Sequence, residues 1–275
     1  MHQLKATIIG GQGFIGRHLT ARLLAANWNC HVPDRHADYE KQGEMGHVFY
    51  CAGLTADYLR RPFDTIEAHV SLLSRILRTG RFESLVYLSS TRLYDSQPGI
   101  LGSEEMPLVF TPTNPRHLYD LSKALGESLC LTTGKGRARI ARLSCVYNNH
   151  TDDDGFLPGL LRQIIKDQPS YLEVDSSPAF ARDYIHLDDV LDALVLIATR
   201  GKEGVYNVAG GENIDNETLF ATISLASGCR IIPLRNDVSP SPARISIEKM
   251  QREFNWHPLS VLNKITSIIE ENHQC

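Results

Sequence analysis

Residues 6–19 read Ala-Thr-Ile-Ile-Gly-Gly-Gln-Gly-Phe-Ile-Gly-Arg-His-Leu, and the reading of this stretch decides the fold. Ala6 to Ile9 are a short apolar run closed by glycine, which predicts a buried strand, and from Phe14 onward Ile15, Leu19, Leu23 and Leu24 predict a helix with one apolar face. Between them Gly10, Gly13 and Gly16 stand three apart. Glycines at a strand-to-helix turn let the chain reverse tightly, bring its amides against a pyrophosphate and pack the helix closely on its strand. The helix start at Phe14 and Ile15 then presents N–H groups and a partial positive charge to the phosphates. Alone, three glycines fit an ordinary β-turn-α equally well. Asp34 adds weight, because it closes the next predicted strand (29–32) eighteen residues past Gly16, near the spacing of about 20 at which a carboxylate meets the ribose hydroxyls. A carboxylate there favours NAD, while the adjoining Arg35 would attract a 2′-phosphate and leaves NADP open.

The chain has 275 residues, enough for one large domain or a domain with a smaller lobe, and its 42% hydrophobic and 22% charged content is that of a globular protein. A net charge of −4 gives no basic footprint for nucleic acid. No apolar run is long enough to span a bilayer and no signal-peptide core precedes the first strand, so the expectation is a cytoplasmic protein without membrane contact. Cys30, Cys51, Cys130, Cys145, Cys229 and Cys275 are scattered, with no Cys-x-x-Cys pair and no histidine cluster at zinc spacing. They read as reduced structural thiols, with no metal site.

From Asp34 to His47 the chain is too short for a helix, a strand and their turns, so one crossover unit is truncated. His47 to Gly53 reads as the next buried strand, ending in Cys51, Ala52 and Gly53, small residues that let a cofactor pass close to the backbone. A helix is expected over 63–77 and a central strand over 85–90. Ser89 and Ser90 end that strand, where open α/β sheets bind ligands, although hydroxyls there also serve simply to cap a turn. After a polar stretch, 95–115, a helical run from Leu118 to Glu127 sets Tyr119 and Lys123 four apart on one face, a spacing that ordinary packing also produces.

With the glycine turn, the acid and the serine-ended strand, this pair makes the chain resemble the extended short-chain dehydrogenase/reductase family of sugar-nucleotide epimerases, dehydratases and reductases. The resemblance covers nearly the whole chain. It rests on residues 10–16, on Ser90-Thr91-Arg92-Leu93-Tyr94, on Tyr119 with Lys123, and on Arg142-Leu143-Ser144-Cys145-Val146-Tyr147. It continues through Arg182-Asp183-Tyr184-Ile185-His186-Leu187-Asp188-Asp189-Val190, Tyr206-Asn207-Val208-Ala209 and Phe254-Asn255-Trp256-His257-Pro258. It implies an α/β fold, a Rossmann-type doubly wound parallel sheet over 1–147 plus 182–210, and a smaller substrate-binding lobe over 148–181 plus 211–275. It also implies a homodimer that pairs through the Tyr119 helix.

The implied site has Ser90, Tyr119 and Lys123 in catalysis. Gly10, Gly13, Phe14, Ile15, Gly16, Asp34, Arg35, Cys51, Ala52, Gly53 and Leu143 join Tyr119 and Lys123 around NAD, and Ser90, Thr91, Cys145 and Arg182 face the substrate. A phenol of pKa about 10 is a poor base near neutrality, so Tyr119 needs the positive charges of Lys123 and an oxidised nicotinamide to ionise. The implied activity is NAD-dependent epimerisation of a sugar nucleotide or a related 4-keto reduction, with reduction or oxidation of a small non-nucleotide ketone or alcohol as the alternative. Four departures stand out. The truncated unit removes an acid that contacts adenine, Cys145 and His69 stand where the family carries asparagines, and Asp120 replaces a glycine. Thr91-Arg92 stands where the dehydratases carry an Asp-Glu pair, which argues against water elimination. Arg182 aligns with an arginine that clamps the substrate pyrophosphate, with an ion pair to Asp183 or Asp188 as its other reading.

Overall fold

The computed structural model describes residues 3–35, 37–39, 43–149, 155–202, 204–238 and 241–273. Cys275 lies outside them. In chain order the elements are β1 (Lys5–Ile9), α1 (Phe14–Ala25), β2 (Asn29–His31), β3 (His47–Tyr50), α2 (Pro62–Ile66), a π-helical turn (Glu67–Ser71), α3 (Leu72–Thr79), β4 (Ser84–Ser90), a 3-10 turn (Thr91–Tyr94), β5 (Leu101–Gly102) and α4 (His117–Thr133). There follow β6 (Ala138–Leu143), β7 (Cys145–Tyr147), α5 (Phe156–Asp167), β8 (Tyr171–Val174), β9 (Ala181–His186), α6 (Leu187–Arg200) and β10 (Gly204–Val208). The last are β11 (Asn213–Asp215), α7 (Asn216–Ser227), β12 (Arg230–Pro233), β13 (Arg244–Ile245), α8 (Glu248–Phe254) and α9 (Val261–His273).

Six strands make a sheet in the order β10-β6-β4-β3-β1-β2, and every pairing in it is parallel. The strands alternate between two cores. Ala6, Ile8, Phe49, Val86, Leu88 and Ala141 pack with Leu19 and Leu23 of α1 and with Val190, Leu194 and Ile197 of α6. Their neighbours Ile9, Val48, Tyr50, Leu85, Tyr87 and Ile140 pack with Leu73 and Ile76 of α3 and Cys130 of α4. Strands buried on both faces lack a polar side, which is why they read as continuous apolar runs. The strand order reverses between β1 and β3, so the crevice at their C-terminal ends is the place where such sheets take a ligand.

A separate apolar core joins α5, α7 and α9 through Leu161, Ile164, Leu219, Ile223, Ile265 and Ile269. It adjoins the three-stranded sheet β11-β9-β7 and the β12-β8 pair. Among the described residues no helix is long and apolar enough to cross a membrane, and the five described cysteines are free thiols.

Three local expectations change, and one holds. Leu24 is 56% exposed, because at about 100° per residue it falls on the side of α1 opposite Ile15. The strand from His47 stops at Tyr50, and Cys51 to Gly53 form a loop whose first amide still bonds to Ile9 O (2.8 Å). The helix over 63–77 widens into the π-helical turn at its middle. Between β2 and β3 the described residues hold no helix, and Glu44 bridges to Arg81, as the short spacing requires.

Gly10 has φ +80°, and a Cβ on it would meet Ala52 N at 2.7 Å. Gly16 is as tightly placed, since a Cβ there would collide with Gly10 O. Gly10→Ala therefore combines a left-handed backbone with a backbone clash and should cost about 2 kcal/mol or more in denaturant unfolding, with a lower midpoint at unchanged slope.

Candidate functional site

The glycine turn, the loop after β3 and the end of β4 converge on α4. Gly53 links them: a Cβ on it would lie 3.1 Å from His69 Nε2 and 3.3 Å from Lys123 Nζ. α1 begins at Phe14 with Gly13 as its N-cap, with no side-chain cap and no acid in the first turn, while Phe14 and Ile15 half-bury their side chains against the core. A close-packed turn whose helix start lacks its own acceptor fits a dinucleotide pyrophosphate. Asp34 and Arg35 follow β2 in an exposed turn, and Arg35 Nη2 leans to 3.9 Å from Asp64 on α2. Leu143 is buried at the end of β6, paired in register with Ser90 and Val208.

On α4, Tyr119, Lys123 and Glu127 recur every four residues and are all buried. Burial raises the Tyr119 phenol above its ordinary range, and the hydroxyl of Ser90, the charge of Arg92 and the hydroxyl of Thr55 pull it back down. Ser90 Oγ accepts the amide of Arg92 (3.2 Å), leaving its proton for the Tyr119 oxygen. Thr91, the first residue of the 3-10 turn, is half-buried beside Ser90. Lys123 Nζ donates to Leu88 O (2.8 Å) and lies over the Tyr87 ring, 4.9 Å from its centroid. Burial pushes the Lys123 ammonium down to about 7, against the opposing pull of Glu127 and Cys51.

His69 is fully buried edge-on to the Tyr119 ring, and burial with the nearby Lys123 charge drives it down to about 2, so it stays neutral. Its Nε2 accepts the Leu54 amide (3.2 Å), which leaves Nδ1–H to donate to Ser122 Oγ (2.8 Å), and Ser122 donates to Tyr119 O (2.8 Å). The histidine thereby ties the β3 loop to the first turn of α4. The sequence gives His69 only as a departure from the family pattern and Arg92 only as part of the motif after β4, with no role for either. Thr55 carried no signal, because its place depends on how a loop folds back.

Cys145 and Arg182 meet in a cleft of about 330 Å³ lined also by Tyr147, Phe156, Phe180 and Tyr184. Arg182 hydrogen-bonds the Cys145 sulfur and stacks over the Phe180 ring (4.8 Å). Asp183 is turned instead to the amides of Gly210 and Gly211 (2.7 Å each), and Asp188 sits 3.4 Å from His186. Those acids have other partners, and the exposed guanidinium of Arg182 is left facing the cleft's aromatic wall.

The model of the NAD dependent epimerase/dehydratase family matches residues 6–209, and the chain belongs to that family. It is 30% identical to GDP-6-deoxy-D-mannose reductase of Pseudomonas aeruginosa, over 91% of this chain and 87% of that one. The structure of RMD from Pseudomonas aeruginosa complexed with NADPH superposes with a TM-score of 0.74 at 24% identity, covering 99% of this chain and 98% of that chain. UDP-glucose 4-epimerase of Thermotoga maritima with UDP-glucose gives a TM-score of 0.75 at 17% identity, covering 98% and 99%. These two structures share the fold. Family membership makes the protein an NAD(P)-dependent enzyme of the extended short-chain dehydrogenase type.

The depressed lysine has a measurable consequence. Between about pH 7 in the fold and about 10 in the unfolded chain, the unfolded state alone holds the Lys123 proton, so this group's cost is full below the window and is relieved as pH rises through it. Lys123→Met should therefore raise the melting temperature of the cofactor-free protein more at about pH 6 than at about pH 9. A gain independent of pH would show that the amine is not held in a desolvated site.

Proposed function

We propose that the protein transfers hydride at a carbinol or ketone carbon of a sugar nucleotide, as an epimerase or the closely related 4-keto reductase, with Tyr119 as its acid/base group. The observation that carries this reading is the buried Tyr119 phenol, with the hydroxyls of Ser90 and Thr55 on its oxygen and Arg92 beside it. The reductase relative, matched over most of both chains, favours the reductase branch. A bound nicotinamide would supply the hydride or take it up.

The chain's own groups do the rest. Amides of the Gly10–Gly16 turn and of α1 would hold the pyrophosphate, Asp34 the adenosine ribose and Lys123 the nicotinamide ribose. In reduction Tyr119 gives its proton to the ketone oxygen while Ser90 hydrogen-bonds the same atom, and in the reverse sense Tyr119 takes the proton from the hydroxyl. Arg182 is suited to two phosphate oxygens at once, and the aromatic walls of its cleft are suited to a base. The exposed Phe63 on α2, with Leu125 and Leu131 on α4, supports a homodimer through this face.

The test is a panel of nucleotide sugars and their 4-keto forms, assayed with NADH, with NADPH and without added cofactor. The reductase branch predicts reduced-nicotinamide absorbance falling in step with product, and the epimerase branch many turnovers per bound cofactor with no net change. Tyr119→Phe should lower turnover by about 10²–10⁴-fold while keeping cofactor affinity. Near-normal turnover in that variant, or no turnover of any nucleotide sugar, would overturn the reading.

A further inference from the structure

We propose that Arg92 is a positioning residue for Tyr119: its guanidinium, seated over the phenol ring, favours the ionised ring. This deepens the reading above and rests on Tyr119 as the acid/base group.

The guanidinium carbon of Arg92 lies 4.4 Å from the centroid of the Tyr119 ring and 5.2 Å from that of Tyr58. A cation over an aromatic face is attracted by the ring's negative quadrupole, and the attraction grows when the ring itself becomes an anion. An interaction stronger in the ionised state than in the neutral one promotes proton transfer rather than mere binding.

The pairing around Arg92 leaves this charge available. Its nearest carboxylate is Asp120, buried beside Tyr119 on α4, but Arg92 Nε and Asp120 Oδ1 stand 3.9 Å apart and neither atom has a hydrogen-bond partner. At this distance Asp120 offsets the burial of Arg92 without bonding to it, and its own charge opposes ionisation of Tyr119, so the two groups act on the phenol in opposite senses. Asp95 is committed to Arg116 (2.5 Å). The other groups facing Tyr119 are the hydroxyls of Ser90 and Thr55, the rings of Tyr58 and Tyr87, neutral His69 in the π-helical turn, and Lys123, whose amine is turned to Leu88 O. The cation packed on the Tyr119 ring is thus Arg92.

The experiment reads Tyr119 directly and needs no substrate. The full chain is made with 3,5-difluorotyrosine, whose phenols ionise nearer neutrality, and titrated by fluorine NMR, the Tyr119 signal being the one lost in Tyr119→Phe. Arg92→Met, or Arg92→Gln if the first variant does not fold, should raise the Tyr119 midpoint by about one pH unit, a tenfold loss of phenolate, and Arg92→Lys should restore at least half of the shift. A midpoint within about 0.2 unit of the parent protein in the charge-removing variant would overturn the proposal. Loss of the acid/base reading looks different: Tyr119→Phe would stay active while the Arg92-dependent shift remained.

Discussion

The arrangement of the site depends on one buried ion pair. Arg142 of β6 and Glu127 of α4 have side chains only 4% and 5% exposed, and they meet through two parallel bonds, Nε to Oε1 at 2.9 Å and Nη2 to Oε2 at 2.6 Å. The remaining atoms are satisfied in turn. Ser89 donates to Glu127 (2.5 Å), Arg142 Nη1 donates to Tyr94 Oη (2.6 Å), and Tyr94 donates to Asn207 Oδ1 (2.9 Å). Asn207 then donates to Gly102 O and Ser246 O (3.0 Å each). A pair this well bonded need add little net stability, yet removing one partner strands a charge in the core at a cost of about 3–5 kcal/mol. The constraint is therefore geometric: it pins α4 to β4, β6 and β10, and with it the Lys123 and Tyr119 side chains one and two turns before Glu127.

Burial sets the charge states around that helix. His69 is kept neutral by desolvation and serves only as a hydrogen-bond hinge between Leu54 and Ser122. Lys123, pushed down to about 7, holds its proton loosely and is tied to a strand carbonyl rather than to the phenol. Tyr119 draws its support from two hydroxyls and from Arg92 across the ring. Those groups come from the loop after β3, the end of β4 and the 3-10 turn, so the fold itself sets the electrostatics around the phenol.

The sheet was legible because its signals are local. Two-sided burial makes β1, β3 and β4 read as apolar runs, and Gly10 and Gly16 stand where a Cβ has no room. Tyr119 and Lys123 were legible because four residues is one helical turn. Leu24 misled because apolar character alone does not give the angle of a helix face. Glu127, Arg142, Tyr94 and Asn207 were visible as letters, but their pairing spans a helix, two strands and a turn, and no sequence period encodes it. Arg92 was legible only as a letter of the motif after β4, since its meaning lies in which ring it lands on.

We propose that hydride reaches a carbon of the substrate in the crevice between the glycine turn and Tyr119. The most direct measurement is isotope transfer: turnover of a 4-keto nucleotide sugar with reduced cofactor deuterated at nicotinamide C4, followed by mass spectrometry of the product. Hydride transfer there gives one deuterium per product molecule, on carbon and resistant to exchange with water. Product formed at a normal rate without deuterium on carbon, from either face of the labelled cofactor, would contradict it.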